Sequence, residues 1–135
     1  MKILHVFKTY VPDTYGGTQR VIFELARGTV RAGHTAEVLY LSKASSGTRT
    51  RVDNHWAHSA HLDIEIASTG FSLSAFSLFR KLATEADLVH LHFPWPFMDV
   101  VHFLTRIGKP TVVTYHSDIL RQRWLLASAS WASIG

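Results

Sequence analysis

The sequence predicts an α/β domain: a doubly wound, Rossmann-like, mainly parallel sheet with helices on both faces. Two observations lead there. Strand-like and helix-like segments alternate along the chain. Several of the strands are apolar without interruption, as in Leu88-Val89-His90-Leu91 and Val112-Val113. Strands buried on both faces read this way. The size agrees, since 135 residues suit one compact domain that can bury a core. A hydrophobic fraction of 47% against 18% charged residues describes a globular chain, not a disordered one.

Lys2 to Phe7 reads as the first strand. Lys8 interrupts the apolar run and no small-residue cleavage site follows, so this is not read as a signal peptide. Lys8 to Gly16 is a loop. Gly17 to Ala32 reads as a helix, with Val21, Ile22, Leu25, Ala26 and Val30 on one apolar face and Gly33 as its stop. Gly28 inside it costs about 1 kcal/mol relative to alanine. Ala36 to Leu41 is the second strand, and the Ser-, Gly- and Thr-rich run from Ser42 to Thr50 is a loop. Arg51 to Ile66 holds one or two short strands, with Asp63 to Ala67 the better candidate. Leu73 to Ala86 is a helix that buries Phe76, Phe79, Leu82 and Ala83. Asp87 to His92 is a strand. Pro96 to Ile107 is a helix that opens on a proline whose missing N–H costs nothing there. Thr111 to Tyr115 is a strand, and a further helix begins at Asp118.

Composition removes several classes of function. There are no cysteines, which excludes disulfides and thiolate metal sites. That fits a cytoplasmic chain. No run reaches the roughly 20 apolar residues of a membrane span. The net charge of +4 is scattered over Arg20, Arg27, Arg31, Arg80, Lys81, Arg121 and Arg123. Without a basic stripe interleaved with aromatics, nucleic acid is not an expected partner.

In doubly wound sheets, ligands bind outside the carboxyl ends of the strands. The first strand runs into Tyr10-Val11-Pro12-Asp13-Thr14-Tyr15-Gly16-Gly17. A glycine pair that opens a helix lets amides approach a phosphate, where the helix dipole adds roughly half a positive charge. It equally makes a tight turn. A dinucleotide site is not expected: the glycines are adjacent, and Tyr40-Leu41-Ser42 ends the second strand without a carboxylate. His90 and His92 share one strand face, as a metal pair or as packed histidines. Val113-Thr114-Tyr115-His116-Ser117-Asp118 carries an imidazole and a carboxylate off a strand end. His116 suits a hydrogen bond to a sugar or phosphate, or proton handling. Asp118 orients it, grips an acceptor hydroxyl, or caps the next helix. His55, His58 and His61 form a separate set in a loop or strand, without the cysteine or carboxylate that would complete a zinc site.

Three features in order, the Gly-Gly loop, Asp-Leu-Val-His-Leu-His and Thr-Tyr-His-Ser-Asp, resemble the amino-terminal domain of family 4 glycosyltransferases of the GT-B fold. Glu24-Leu25-Ala26, Arg31-Ala32-Gly33-His34 and Gly108-Lys109-Pro110-Thr111-Val112-Val113 extend the similarity, which covers residues 1–126. The resemblance implies transfer of a sugar from a nucleotide-diphosphate donor to a glycan or lipid-linked acceptor, with retention of configuration and no metal or other cofactor. By this analogy Gly16 and Gly17 face the donor phosphates and His116 lies by the transferred sugar. Tyr15, Asp118 and Arg121 are candidate acceptor contacts, and His92 shapes the cleft wall. A lipid-linked acceptor implies peripheral contact with the inner face of the membrane.

The chain departs from the family pattern in two ways. The domain that normally holds the nucleotide is absent from these 135 residues, and the small-residue run at 127–135 is atypical, which reads as truncation. Two alternatives to an active transferase fragment follow. One is a non-catalytic half-domain that binds a partner chain carrying the donor domain, and the other is an inactive remnant. Truncation also predicts an association-prone sheet edge at Val112-Val113-Thr114-Tyr115.

Overall fold

The computed structural model describes residues 1–44, 47–66, 69–95, 97–98, 101–102 and 108–116. Among the described residues the bounded elements follow in the order β1 (Lys2–Val6), α1 (Gly17–Arg31), β2 (Thr35–Ser42), β3 (Arg49–Val52), β4 (His55–His61), β5 (Ile64–Ile66), β6 (Thr69–Phe71), α2 (Ser74–Glu85), β7 (Leu88–Phe93) and β8 (Thr111–Tyr115). Six strands form one sheet in the order β3-β4-β2-β1-β7-β8. All neighbours are parallel except β3 and β4. β5 and β6 make a separate antiparallel pair. The predicted Rossmann-like α/β architecture is therefore present.

Alternation along the strands explains the two faces. Leu39 and Leu41 point to the side that holds Leu4, Val6, Val89, Leu91 and the α2 residues Phe79, Leu82 and Ala83. Val38 and Tyr40 point to the side that holds Ile22 of α1, Phe7 and Tyr10. A period of two thus sends one strand into two cores. Phe79 is fully buried in the first core. Phe79→Ala is expected to cost about 3–5 kcal/mol through lost transfer energy and a residual cavity. A urea midpoint that fails to drop would place Phe79 outside the core.

Most predicted elements match within a residue or two, but three readings are corrected. The apolar face of α1 is narrower than its spacing suggested: Ile22 and Ala26 are buried, whereas Val21 and Leu25 are 43% and 41% exposed. Partly buried Phe23 joins the core instead. The run Arg51 to Ile66 holds more strand than expected. β4 is a seven-residue strand of the main sheet, and Asp63 precedes the short β5. β3 also begins inside the predicted loop, at Arg49. Gly33 ends α1 as expected, with φ of 97°, a left-handed conformation that favours glycine. Phe97, Met98, Val101 and His102 are helical, within the helix expected over 96–107. The helix expected from Asp118 and the 127–135 run lie outside the described residues. β8 is the outermost strand on its side of the described sheet, with Val112 and Val113 exposed.

Candidate functional site

The chain steps outward from β1 to β2 and on to β4, and later returns to the other side of β1 with β7. The winding direction reverses between β1 and β7. Ligands of open α/β sheets bind in the crevice at such a switch point, at the carboxyl ends of the strands. The loop after β1 and residue 116 after β8 both leave from this edge.

Gln19 organises the loop. Its side-chain oxygen accepts from the Gly16 N–H at 3.1 Å. Its side-chain N–H group donates to Thr9 Oγ1, and to Thr14 Oγ1 at 3.2 Å. One side chain in the first turn of α1 therefore ties three loop positions to the helix start. Gln19 was not a sequence candidate, although its position three residues past the cap was a readable signal. The first intrahelical bond of α1 runs from the Arg20 N–H to the Gly16 carbonyl, 3.0 Å. The amides of Gly17, Thr18 and Gln19 thus lack intrahelical acceptors, as at any helix start.

Neither glycine of the pair is there for its backbone angles. Gly16 is extended, with φ of −113°, and Gly17 is not among the positive-φ glycines. A Cβ on Gly17 would meet nothing within 4 Å, whereas one on Gly16 would come 3.0 Å from Gln19 Oε1. A tight turn alone does not account for Gly17. Tyr15 beside the pair is 59% exposed and meets Phe23 edge-on, with ring centroids 6.4 Å apart.

The second half of the site is a cluster of four imidazoles on one sheet face. His5 on β1 lies in register with His90 on β7. His5 Nδ1 lies 3.0 Å from His92 Nε2, and His92 Nδ1 lies 2.8 Å from His116 Nε2. His90 Nε2 bonds Thr114 Oγ1 at 2.7 Å, and its ring stacks on His92 with centroids 4.1 Å apart. The His116 N–H donates to the Phe93 carbonyl at 2.7 Å, which fixes the residue against β7 independently of its ring. Phe7 flanks His116.

Burial keeps these rings neutral. Desolvation, reinforced by neighbouring histidines, lowers His5 to about 3 and His90 to about 4. The same causes hold His92 far below its ordinary value, and burial lowers His116. His5, His90 and His92 bring nitrogens within 4.8 Å of one another. His92 already engages both of its nitrogens, however, one with His5 and one with His116, whereas a metal ligand needs a free lone pair. The arrangement suits a hydrogen-bonded chain better.

Of the sequence candidates, His90, His92 and His116 join this cluster and the other described ones do not. His92, expected at the cleft wall, is fully buried beneath His116. His55 and His61 occupy one face of β4 and His58 the other, so the three do not converge. His55 bonds the Tyr10 hydroxyl at 2.7 Å, and His58 pairs with Glu37 at 3.5 Å. Asp118 and Arg121 lie outside the described residues. His5 was missed, although a histidine inside the apolar run Ile3-Leu4-His5-Val6-Phe7 was a visible anomaly.

Comparison with known proteins places this geometry in context. Residues 15–134 match the model of Glycosyltransferase Family 4. Over 126 residues the chain is 54% identical to the D-rhamnosyltransferase WbpZ of Pseudomonas aeruginosa, covering 93% of this chain and 33% of the relative. Over 126 residues it is 43% identical to the O-antigen chain mannosyltransferase C of Escherichia coli, covering 93% of this chain and 34% of the relative. The chain thus spans about a third of the length of these curated relatives. With a family match over nearly its whole length, on a parallel sheet whose switch point carries the glycine loop and the histidines, this chain belongs to glycosyltransferase family 4.

Proposed function

We propose that this chain forms the acceptor-side domain of a transferase that moves a manno-configured sugar from a nucleotide-diphosphate donor to a growing, lipid-linked surface glycan, with retention. The observation that carries this reading is the pairing, at one switch point, of a glycine-opened helix start with His116. The sugar class follows from the relatives, one named for rhamnose and one for mannose. D-rhamnose is 6-deoxymannose, so the two share ring stereochemistry. The nucleotide itself is held by sequence that corresponds to the part of the relatives this chain does not span. That part belongs to the same polypeptide or to a partner chain.

Departure of the nucleoside diphosphate builds negative charge on a phosphate oxygen. The amides of Gly17 and Thr18, with the dipole of α1, stabilise that charge. His116 adds a hydrogen bond at the transferred sugar, and no metal ion is required. Tyr15 contacts the acceptor, as do Asp118 and Arg121. Membrane contact is peripheral and comes from the lipid-linked acceptor. In the test, the native protein is given a nucleotide-diphosphate mannose or rhamnose and a lipid-linked glycan. Nucleoside diphosphate release coupled to glycan extension with the donor's anomeric configuration is expected. Extension with inverted configuration would sink the reading.

The glycine pair offers a separate test. Gly17→Ala has open space for its methyl group, so stability should hold or rise slightly. If donor phosphates approach this backbone, the same methyl should cut kcat/KM for the donor about tenfold or more, a loss of at least roughly 1.4 kcal/mol. An unchanged kcat/KM would reduce the pair to a turn.

A further inference from the structure

The chain His5–His92–His116 has a direction. A neutral imidazole carries one proton on two nitrogens, so it donates once and accepts once. His92 uses both nitrogens, one toward His5 and one toward His116. It therefore cannot donate both ways or accept both ways. Only two proton arrangements remain. In the first, each ring is protonated on Nδ1: His5 donates to His92, His92 donates to His116, and His116 carries its N–H at the outer end. In the second, every ring is protonated on Nε2, and His116 presents a bare nitrogen outward.

The inner end decides between them. His5 is 2% exposed, and its Nε2 is buried without a hydrogen-bond partner among the described residues. The first arrangement leaves a lone pair there, and the second leaves an N–H donor. Orphaned buried N–H groups are the rarer and costlier kind. The first arrangement is favoured. We propose that His5 and His92 are positioning residues that fix His116 with its proton on Nδ1, so that it presents a hydrogen-bond donor at the carboxyl edge of the sheet. This rests on the reading of His116 as a substrate-facing residue. The group it receives is then an oxygen lone pair, from a phosphate or a sugar hydroxyl. In that state His116 cannot act as the reaction's base, because its outer nitrogen is already protonated.

The direct test is a two-bond proton–nitrogen spectrum of the native protein labelled with ¹⁵N-histidine, at pH 7.5. Protonated Nδ1 is expected at His5, His92 and His116, and protonated Nε2 at His116 would overturn the proposal. A second test is His5→Phe, which keeps an apolar ring and removes the donor that orders the chain. His116 should then show mixed tautomers. The competent fraction falls, and kcat with it, by about three- to tenfold, while KM stays within twofold. A His5→Phe enzyme with a single His116 tautomer and unchanged kcat would also overturn the proposal. The two readings fail separately. Nε2 protonation in an enzyme that still needs His116 would sink the relay alone. Nδ1 protonation in an enzyme indifferent to His116 would sink the substrate-facing role and leave the relay standing.

Discussion

Acidification from pH 6.5 to pH 4.5 is expected to remove much of this protein's stability. The cause is the buried imidazole cluster. An unfolded histidine titrates near 6.5. Folding lowers His5 to about 3 and His90 to about 4, with His92 and His116 also lowered, all chiefly by desolvation. Below pH 6.5 the unfolded chain therefore binds protons that the native chain refuses. Stability is fully present above 6.5 and falls with pH until each folded value is reached. His5 and His92, the two buried members, together contribute a slope of about 3 kcal/mol per pH unit in the middle of that window. A domain holds only about 5–15 kcal/mol in all. Glu37 works in the same direction but in another range. Its carboxyl is lowered by His58, opposed by burial and assisted by Lys2, so its contribution is lost only below about 4.5. Urea midpoints followed by tryptophan fluorescence at pH 7.5, 6.5, 5.5 and 4.5 would measure the slope. A flat profile from 7.5 to 4.5 would mean that the rings are solvated or already charged, and the cluster as described would be wrong.

Replacing His116 by alanine is expected to lower kcat of the native enzyme by about 10²–10³-fold, the usual loss when one preorganised donor to developing charge is removed. The backbone bond from His116 to Phe93 does not involve the ring, so the variant should keep its β7–β8 pairing. On the proposed role, in which the His116 interaction strengthens in the transition state, donor KM should change little. Initial rates with the nucleotide-diphosphate sugar, beside a melting curve of the variant, would separate chemistry from folding. A His116→Ala enzyme with kcat within threefold of the parent would remove His116 from the reaction.

What could be read from the sequence divides by the range of the interactions involved. β1 and β7 were legible because strands buried on both faces write their environment as mainly apolar runs. β8 was legible from its β-branched run Thr111-Val112-Val113-Thr114, although Val112 and Val113 are exposed among the described residues. Gly33 was legible because a left-handed helix stop has a local requirement. β4 was not, since His55-Trp56-Ala57-His58-Ser59-Ala60-His61 has no apolar run. Its place comes from pairing with β2 on one side and β3 on the other. The outward turn of Val21 and Leu25 has the same kind of cause, because the sheet beneath α1 decides which stripe is covered. At the site, His116, His92 and the glycine pair stood out by position at strand ends. Their connection did not, because His5 and His92 are 87 residues apart in the chain and meet only through the β1–β7 pairing. The proposed proton direction lies further still from the sequence, since it depends on one buried nitrogen that finds no partner among the described residues.

The floor of the crevice is made by β1 and β7, and each has a parallel strand on both sides. Their main-chain groups complete their ladders inside the sheet, whereas β3 and β8 each pair on one side only among the described strands. Fraying at the β3 rim therefore breaks bonds that the floor does not use, whereas loss of β8 would remove one of the two ladders of β7. His5 and His92 stand on strands that are paired on both sides, while His116 follows the rim strand β8 and is tied back to β7 by its own main-chain bond. Spreading at the β3 margin can be tolerated while the spacing of the His5 and His92 nitrogens is held.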